Sequence, residues 1–232
     1  MLMAILPYFA LATLIAQASG LGLGFHNEQY RLSADNTIKT CSEDTTPIEP
    51  LAITTQKPTT REMWSLSQSK GVGLDKTGAF AYDESAGDGS LVYVVDSGAR
   101  LSHPVGDRAT WLFPGNVQAP GDSTGHGTKM LCKITGKLFG VSKRVHPIIV
   151  RVPTGADGGD GSRDWVTAVK AVRDDYKAKI ARGWDRRRLA IVSMGFAISP
   201  AGLSDQDIND FESCLKEMGQ RRPFPHYRLR QH

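Results

Sequence analysis

The chain has 232 residues, of which 40% are hydrophobic, and a formal net charge of +4. This length and apolar content allow one sizeable hydrophobic core. Four arginines and no acidic residue lie in residues 220–232, so the charge of everything before them is zero (4 − 4 = 0). We therefore predict a disordered basic tail at residues 220–232 and no nucleic-acid partner, because a nucleic-acid-binding face needs basic residues on a folded element.

The amino-terminal segment has the pattern of a secretory signal. Residues 2–16 are predominantly apolar, and the small residues that follow fit a cleavage site before Ser19. The run is too short for a confident membrane span, although no Lys or Arg precedes it, so a buried or anchoring helix is the alternative. We expect a signal peptide at residues 1–18, an extracellular protein, and no membrane association after cleavage.

Three cysteines allow at most one disulfide and leave one thiol over. Their spacing does not indicate metal ligands, and the pairing stays open. They are Cys41, Cys132 and Cys214.

Residues 19–60 have no helix or strand pattern. Prolines at positions 47 and 58 stand beside pairs of threonines and interrupt both periodicities. We interpret the segment as a linker or the remnant of a pro-segment, with plain disorder as the alternative. Trp64 and Leu66 then begin a segment with apolar anchors.

Strand and helix patterns alternate from residue 91 onward. Unbroken apolar runs predict strands buried on both faces, and three- and four-residue apolar steps predict amphipathic helices. In chain order the predicted elements are a strand at 91–95, a long loop through Pro104, Pro114 and Pro120, a short helix at 129–135, a strand at 147–152, a flexible loop at 155–161, a helix from Ser162 to Gly183, a strand at 189–194 and a helix from Ser204 to Gly219.

The two longer helices carry boundary signals. Ser162 is expected to cap the first of them, and Ser204 with Asp207 resembles a capping box for the second. Apolar stripes define their buried faces, at Trp165, Val169, Val172, Tyr176 and Ile180 in the first helix and at Ile208, Phe211, Leu215 and Met218 in the second. Short connections between strand and helix predict an α/β fold, with a parallel sheet covered by helices on both faces.

Two polar residues stand where a sheet of this kind gathers functional side chains. Asp96 ends the first predicted strand, and His126 lies between two glycines before a helix. A buried carboxylate that accepts the imidazole Nδ1–H fixes the tautomer and leaves Nε2 free to take a proton. Such a pair can also be a purely structural hydrogen bond, so the surrounding motifs decide.

Those motifs resemble the subtilisin family of serine proteases, with the fungal proteinase-K-like branch (peptidase S8) nearest. V-V-D-S-G-A around Asp96 and S-T-G-H-G-T around His126 have the family's order. Three further segments are similar: Trp64-Ser65-Leu66, residues 136–143 and Ser193-Met194-Gly195.

The resemblance covers residues 61–219 and implies a partial subtilisin-like catalytic domain, an incomplete three-layer sandwich. It implies serine endopeptidase activity on polypeptides, with Asp96 and His126 catalytic. It also implies a substrate-binding strand at Ser193, Met194 and Gly195. No cofactor is expected. Structural calcium is common in the family, but the carboxylates at residues 157–160 are too weak a signal to assign a site, and a solvated turn is the alternative.

The sequence departs from the family pattern in two places. Cys132 stands where the family has a small helix-packing residue. After Gly219 the family continues with a strand that carries the oxyanion asparagine and then with the nucleophile in a G-T-S-x-A turn, and neither pattern occurs here. We therefore expect this chain to be inactive by itself, with the apolar strand at 189–194 prone to aggregation.

Three other hypotheses stay open. Ser193 could replace the missing nucleophile, although an apolar strand without a glycine-rich turn favours a pocket wall. The chain could be a non-catalytic peptide-binding pseudoprotease that pairs a peptide with the strand at 193–195. Asp96-Ser97-Gly98 could be half of an aspartic protease, which would need a second carboxylate from a homodimer.

Overall fold

The structure is a computed structural model that describes residues 30–32, 38–40, 52–69, 71, 73, 78–106, 108–184, 189–196, 198–200 and 202–219. The predicted signal peptide, the basic tail and Cys41 lie outside these residues. The chain divides into two compact units. One is Met1–Gly89 with Cys132–Val145, and the other is Ser90–Leu131 with His146–His232.

The first unit contains two antiparallel strand pairs. Strand β1 (Tyr30–Leu32) pairs with β2 (Ile38–Thr40), and β3 (Ile53–Gln56) pairs with β4 (Phe80–Asp83). The prediction of irregular structure before residue 60 is therefore wrong for three short strands. The reason is that β3 obtains its hydrogen-bond partners from β4, which a local pattern cannot reveal.

A short helix follows β3 in the same unit. Helix α1 (Arg61–Ser65) starts after Thr60, whose side chain accepts a hydrogen bond from Met63 N at 3.4 Å. Trp64, predicted as an apolar anchor, is 8% exposed. Burial of this indole anchors helix α1 by packing it against the hydrophobic interior of its unit.

The second unit is built on a parallel sheet. Its strands are β5 (Leu91–Asp96), β6 (Thr110–Leu112), β7 (His146–Arg151) and β8 (Ala190–Met194). They lie in the order β6-β7-β5-β8, and every pairing is parallel. The three predicted strands are confirmed. Strand β6 was wrongly predicted as part of a long loop, because three residues between prolines give no periodic signal.

Three helices accompany the sheet. They are α2 (His126–Thr135), α3 (Ser162–Ala181) and α4 (Asp205–Gly219). Helix α2 begins three residues earlier than predicted. The predicted cap at Ser162 is wrong, because Ser162 is already helical and the cap position is Gly161. The capping box at α4 is confirmed, since Ser204 N donates to Asp207 Oδ2 at 3.0 Å and Asp207 N donates to Ser204 Oγ at 3.1 Å.

The two faces of β5 have different roles. Tyr93 and Val95 pack in one hydrophobic cluster with Ala168 and Val172 of α3. Because successive strand side chains alternate, Val94 and Asp96 point to the opposite face, where α2 begins. Tyr93 also donates its hydroxyl to Asp175 Oδ2 at 2.7 Å. Burial and this hydrogen bond raise the pKa of Tyr93. The predicted α/β fold with a parallel sheet is confirmed.

The helices of the described residues differ from membrane-spanning helices. None combines the length and the apolar character that crossing a bilayer demands.

Candidate active site

Asp96 is fixed by its place at the end of the central strand. It is 3% exposed, and its Oδ1 accepts a hydrogen bond from Ser97 N at 2.8 Å. The strand itself is held on both sides, because β5 pairs with β7 and β8. The carboxylate is therefore presented from a strand that is hydrogen-bonded on both sides.

His126 lies where two backbone segments, those of Gly98 and Gly127, come very close together. A Cβ at Gly127 would lie 2.1 Å from the carbonyl oxygen of Gly98, so only glycine fits at this position. Gly125 has φ +75°, a left-handed conformation that glycine adopts without strain. The two glycines that flank the histidine in the sequence thus have separate physical roles.

The structure brings the two predicted catalytic side chains into contact. Nδ1 of His126 lies 2.9 Å from Oδ1 and 3.0 Å from Oδ2 of Asp96. The histidine side chain is 43% exposed, whereas the aspartate side chain is 4% exposed. In this arrangement Nδ1–H donates to the buried carboxylate, and Nε2 is left to accept a proton.

Asp122, which the sequence reasoning missed, connects both members of the pair. Its Oδ1 accepts from Ser97 Oγ at 2.7 Å and from Gly125 N at 2.8 Å. Its Oδ2 accepts from Thr128 N at 2.8 Å and from the Thr128 hydroxyl. Burial alone would raise the pKa of Asp122, but these hydrogen bonds outweigh it and lower the pKa to about 2. An Asp shortly before a glycine-flanked His was the available signal, since Asp accepts bonds from helix N-termini.

The same network explains why α2 begins at His126. Gly127 N donates to Ser97 Oγ at 3.1 Å, Thr128 N donates to Asp122, and His126 N donates to Thr124 Oγ1 at 3.1 Å. First-turn N–H groups of a helix lack partners within the helix. Here side chains from outside the helix supply them.

The three predicted substrate-binding residues differ in their surroundings. Ser193 is 1% exposed and its Oγ has no hydrogen-bond partner, while Met194 is 37% exposed. A Cβ at Gly195 would lie 3.1 Å from Asp96 Oδ2 and 3.3 Å from His126 Cε1. Of the three, Gly195 lies directly beside the Asp–His pair.

The carboxylates considered for calcium are engaged in other contacts. Residues 155–157 form a short 3-10 turn, and Asp157 Oδ2 accepts from Ser123 Oγ at 2.8 Å. Asp157 Oδ1 lies 3.1 Å from Nη2 of the buried Arg151. The described part of the chain contains no group of three or more potential metal ligands.

Two of the three cysteines fall within the described residues, and neither is in a disulfide. Cys132 is half-buried, and burial raises the pKa of its thiol. Cys214 is buried and accepts a hydrogen bond from Arg173 Nη1 at 3.2 Å. The family departure at position 132 is thus a partly buried thiol within α2.

Comparison with known proteins finds serine proteases that are similar to this chain. No protein-family model matches the chain. It is 31% identical over 185 residues to the alkaline serine protease ver112 of Corniculantispora psalliotae, which covers 79% of this chain and 46% of that protein. It is also 36% identical over 117 residues to a cuticle-degrading serine protease of Arthrobotrys oligospora, covering 47% of this chain and 28% of that protein. The chain is similar to subtilisin-like serine proteases of fungi, which supports membership of the subtilisin family.

A third relative extends the same result. The subtilisin-like serine protease Pen ch 13 of Penicillium rubens is 31% identical over 179 residues, covering 72% of this chain and 42% of the relative. The chain therefore spans less than half the length of these subtilisin-family relatives. In this chain the partner of Asp96 is the imidazole of His126, whereas an aspartic protease needs a second carboxylate in that position.

Proposed function

We propose that this chain carries the Asp–His half of a serine endopeptidase that hydrolyses polypeptides. Asp96 orients the imidazole of His126, and Nε2 takes the proton from an attacking hydroxyl. The observation that carries the proposal is the contact of Nδ1 with both oxygens of a carboxylate that is 4% exposed.

Asp96 and His126 differ in burial, and we assign them different roles on that basis. Asp96 faces little water, so its negative charge acts strongly on the adjacent ring and stabilises the imidazolium that forms during proton transfer. His126 is the more exposed partner and can meet a substrate. The carboxylate keeps its own charge throughout.

We further propose that this chain alone does not catalyse turnover. Among the described residues, no hydroxyl is hydrogen-bonded to Nε2 of His126. Ser193, the alternative nucleophile, is 1% exposed and its Oγ has no partner. Loss of the nucleophile from a triad of this type lowers kcat by about 10⁶-fold.

The orientation of the imidazole is tested by NMR of the ring nitrogens. In the unaltered chain we expect the proton on Nδ1, because Asp96 accepts it there. In Asp96→Asn we expect this preference to be lost, because an amide can present N–H to the ring instead. A wild-type ring with its proton on Nε2 would contradict the proposal, because that nitrogen could not act as a base.

The inactivity of the isolated chain is tested with a fluorophosphonate probe, which labels activated serines. We expect no labelled serine in the intact-mass spectrum. Labelling that disappears in His126→Ala would show that a serine of this chain is activated after all. A subtilisin-family protease labelled under the same conditions is the positive control.

Substrate binding is proposed for β8 and the residue that follows it. Ser193, Met194 and Gly195 form the wall along which an extended peptide lies, and Gly195 brings that wall to the Asp–His pair. Extended peptides bind such strands through main-chain hydrogen bonds.

From the apolar pattern of residues 2–16 and the small residues after it, we also propose that the protein is secreted.

A second candidate function is peptide binding without catalysis. It is favoured by the position of β8, which lies at one end of the described sheet and pairs only with β5 there. Leu91 N donates to Leu189 O, so by the parallel alternation the N–H of residue 194 points away from β5. Met194→Pro should therefore abolish binding of an extended peptide and leave the sheet intact, while His126→Ala should leave that binding unchanged.

A further inference from the structure

We propose that Asp122 is a positioning residue that holds His126 against Asp96. The inference rests on the proposed function of the Asp–His pair. Asp122 does not contact the imidazole itself. It binds groups next to each member of the pair, with Ser97 on the Asp96 side and Gly125 and Thr128 on the His126 side.

The directions of the hydrogen bonds show that the network ends at this carboxylate. Ser97 Oγ lies 2.7 Å from Asp122 Oδ1 and 3.3 Å from Asp96 Oδ1, so the shorter contact takes its single proton. The Ser97 oxygen then accepts from Thr124 Oγ1 at 2.8 Å and from Gly127 N at 3.1 Å. This uses one donor and two lone pairs, the full capacity of a hydroxyl.

The same direction continues to the histidine backbone. Thr124 Oγ1 donates to Ser97, so its lone pairs are available to accept from His126 N at 3.1 Å. A continuous path thus runs from His126 N–H through Thr124 and Ser97 to Asp122. An ionised carboxylate is suited to the end of this path because it only accepts hydrogen bonds.

An amide cannot replace this carboxylate. Both oxygens of Asp122 face donors: Ser97 and Gly125 on Oδ1, and the N–H and hydroxyl of Thr128 on Oδ2. In Asp122→Asn one side must turn an NH2 group toward those donors. Some N–H and hydroxyl groups of the loop that carries His126 then lose their hydrogen-bond acceptor. The hydrogen bond between the imidazole and Asp96 therefore breaks more frequently.

The experiment measures solvent exchange of the His126 Nδ1–H and the protonation pattern of the ring nitrogens. In Asp122→Asn we expect exchange about tenfold faster than in the unaltered chain, together with a mixture of tautomers, because loss of the buried partners favours local opening. Asp175→Asn is the matched control. It also removes a charge and hydrogen bonds, but its partners are Tyr93 and Lys179. There we expect exchange of the Nδ1–H to be unchanged.

Ser97→Ala provides a milder test should Asp122→Asn fail to fold. It removes one hydroxyl from the path, and we expect exchange about threefold faster. Unchanged exchange and tautomer in whichever of these variants folds would overturn the positioning role, as would an equal acceleration in Asp175→Asn. A wild-type ring without an Nδ1–H would instead overturn the proposed function, so the two failures are distinguishable.

Discussion

Asp122 is the residue whose ionisation the fold controls most clearly at the candidate site. Burial opposes its charge, but hydrogen bonds from Thr128, Ser97 and Gly125 lower its pKa from 3.8 to about 2. A carboxylate whose folded pKa is depressed stabilises the fold above its ordinary pKa. That contribution is lost as the pH falls through the folded value.

The first prediction concerns this pH dependence. Between about pH 4 and pH 2 we expect the unaltered chain to lose on the order of 1 kcal/mol of unfolding free energy through Asp122, after allowance for solvent screening. Asp122→Asn lacks this titration, so the stability difference between the two proteins should shrink over the same window. Urea denaturation at several pH values measures it. A difference that stays constant across this window would contradict the assignment.

The sequence predicted the Asp–His pair but not the residue that supports it. Asp96 and His126 each carry a local signal, a strand end and a pair of flanking glycines. The role of Asp122 depends on Ser97, which is 25 positions earlier in the chain. Sequence spacing does not reveal which hydroxyl will meet which carboxylate once the loop has folded.

At the level of secondary structure, α4 begins with a reciprocal cap. Ser204 and Asp207 each accept a hydrogen bond from the other's backbone N–H, and the Ser204 hydroxyl also donates to Asp207 Oδ2 at 2.7 Å. Hydrogen bonding from Ser204 lowers the pKa of Asp207. The helix start is therefore fixed by side chains rather than by propensity alone.

The second prediction follows from this cap. Ser204→Ala should lower the free energy of unfolding by about 1 kcal/mol, because one first-turn N–H loses its acceptor. Ser213→Ala is the control, since it makes the same change on the exposed side of the same helix. It should be neutral or slightly stabilising because alanine favours helices. Thermal or urea unfolding followed by circular dichroism compares the two variants, and equal effects would contradict the cap.

Elements with regular periodicity were predictable, and those defined by a distant partner were not. The cores of β5, β7 and β8 are unbroken apolar runs, so their existence followed from the sequence. Strands β3 and β6 are short. Their hydrogen-bond partners are β4 for β3 and β7 for β6. The error at Ser162 has a similar cause, because a capping residue type does not fix the position at which the backbone becomes helical.

At the scale of the whole molecule, the order of the strands decides which surfaces remain reactive. Strand β5 has neighbours on both sides, whereas β8 ends the described sheet. Its last residue, Met194, is 37% exposed. Unpaired N–H and C=O groups on an apolar strand form a template for another chain.

The third prediction is concentration-dependent self-association through β8. Met194→Lys should weaken it by about tenfold, because a charge on an edge strand opposes pairing. Leu101→Lys is the matched control, since Leu101 is 59% exposed and lies outside every strand. Sedimentation velocity over a range of protein concentrations separates the two variants. Equal effects of both substitutions would point to general apolar contact instead of strand pairing.

The close approach of Gly195 to the Asp–His pair has a practical consequence. The position where its Cβ would stand is 3.1 Å from Asp96 Oδ2 and 3.3 Å from His126 Cε1. One added methyl group would therefore crowd the pair, and the neighbouring atoms must shift slightly, although neither side chain has been mutated. Gly195→Ala therefore offers protein engineers a steric means of disturbing the geometry of the pair without mutating Asp96 or His126.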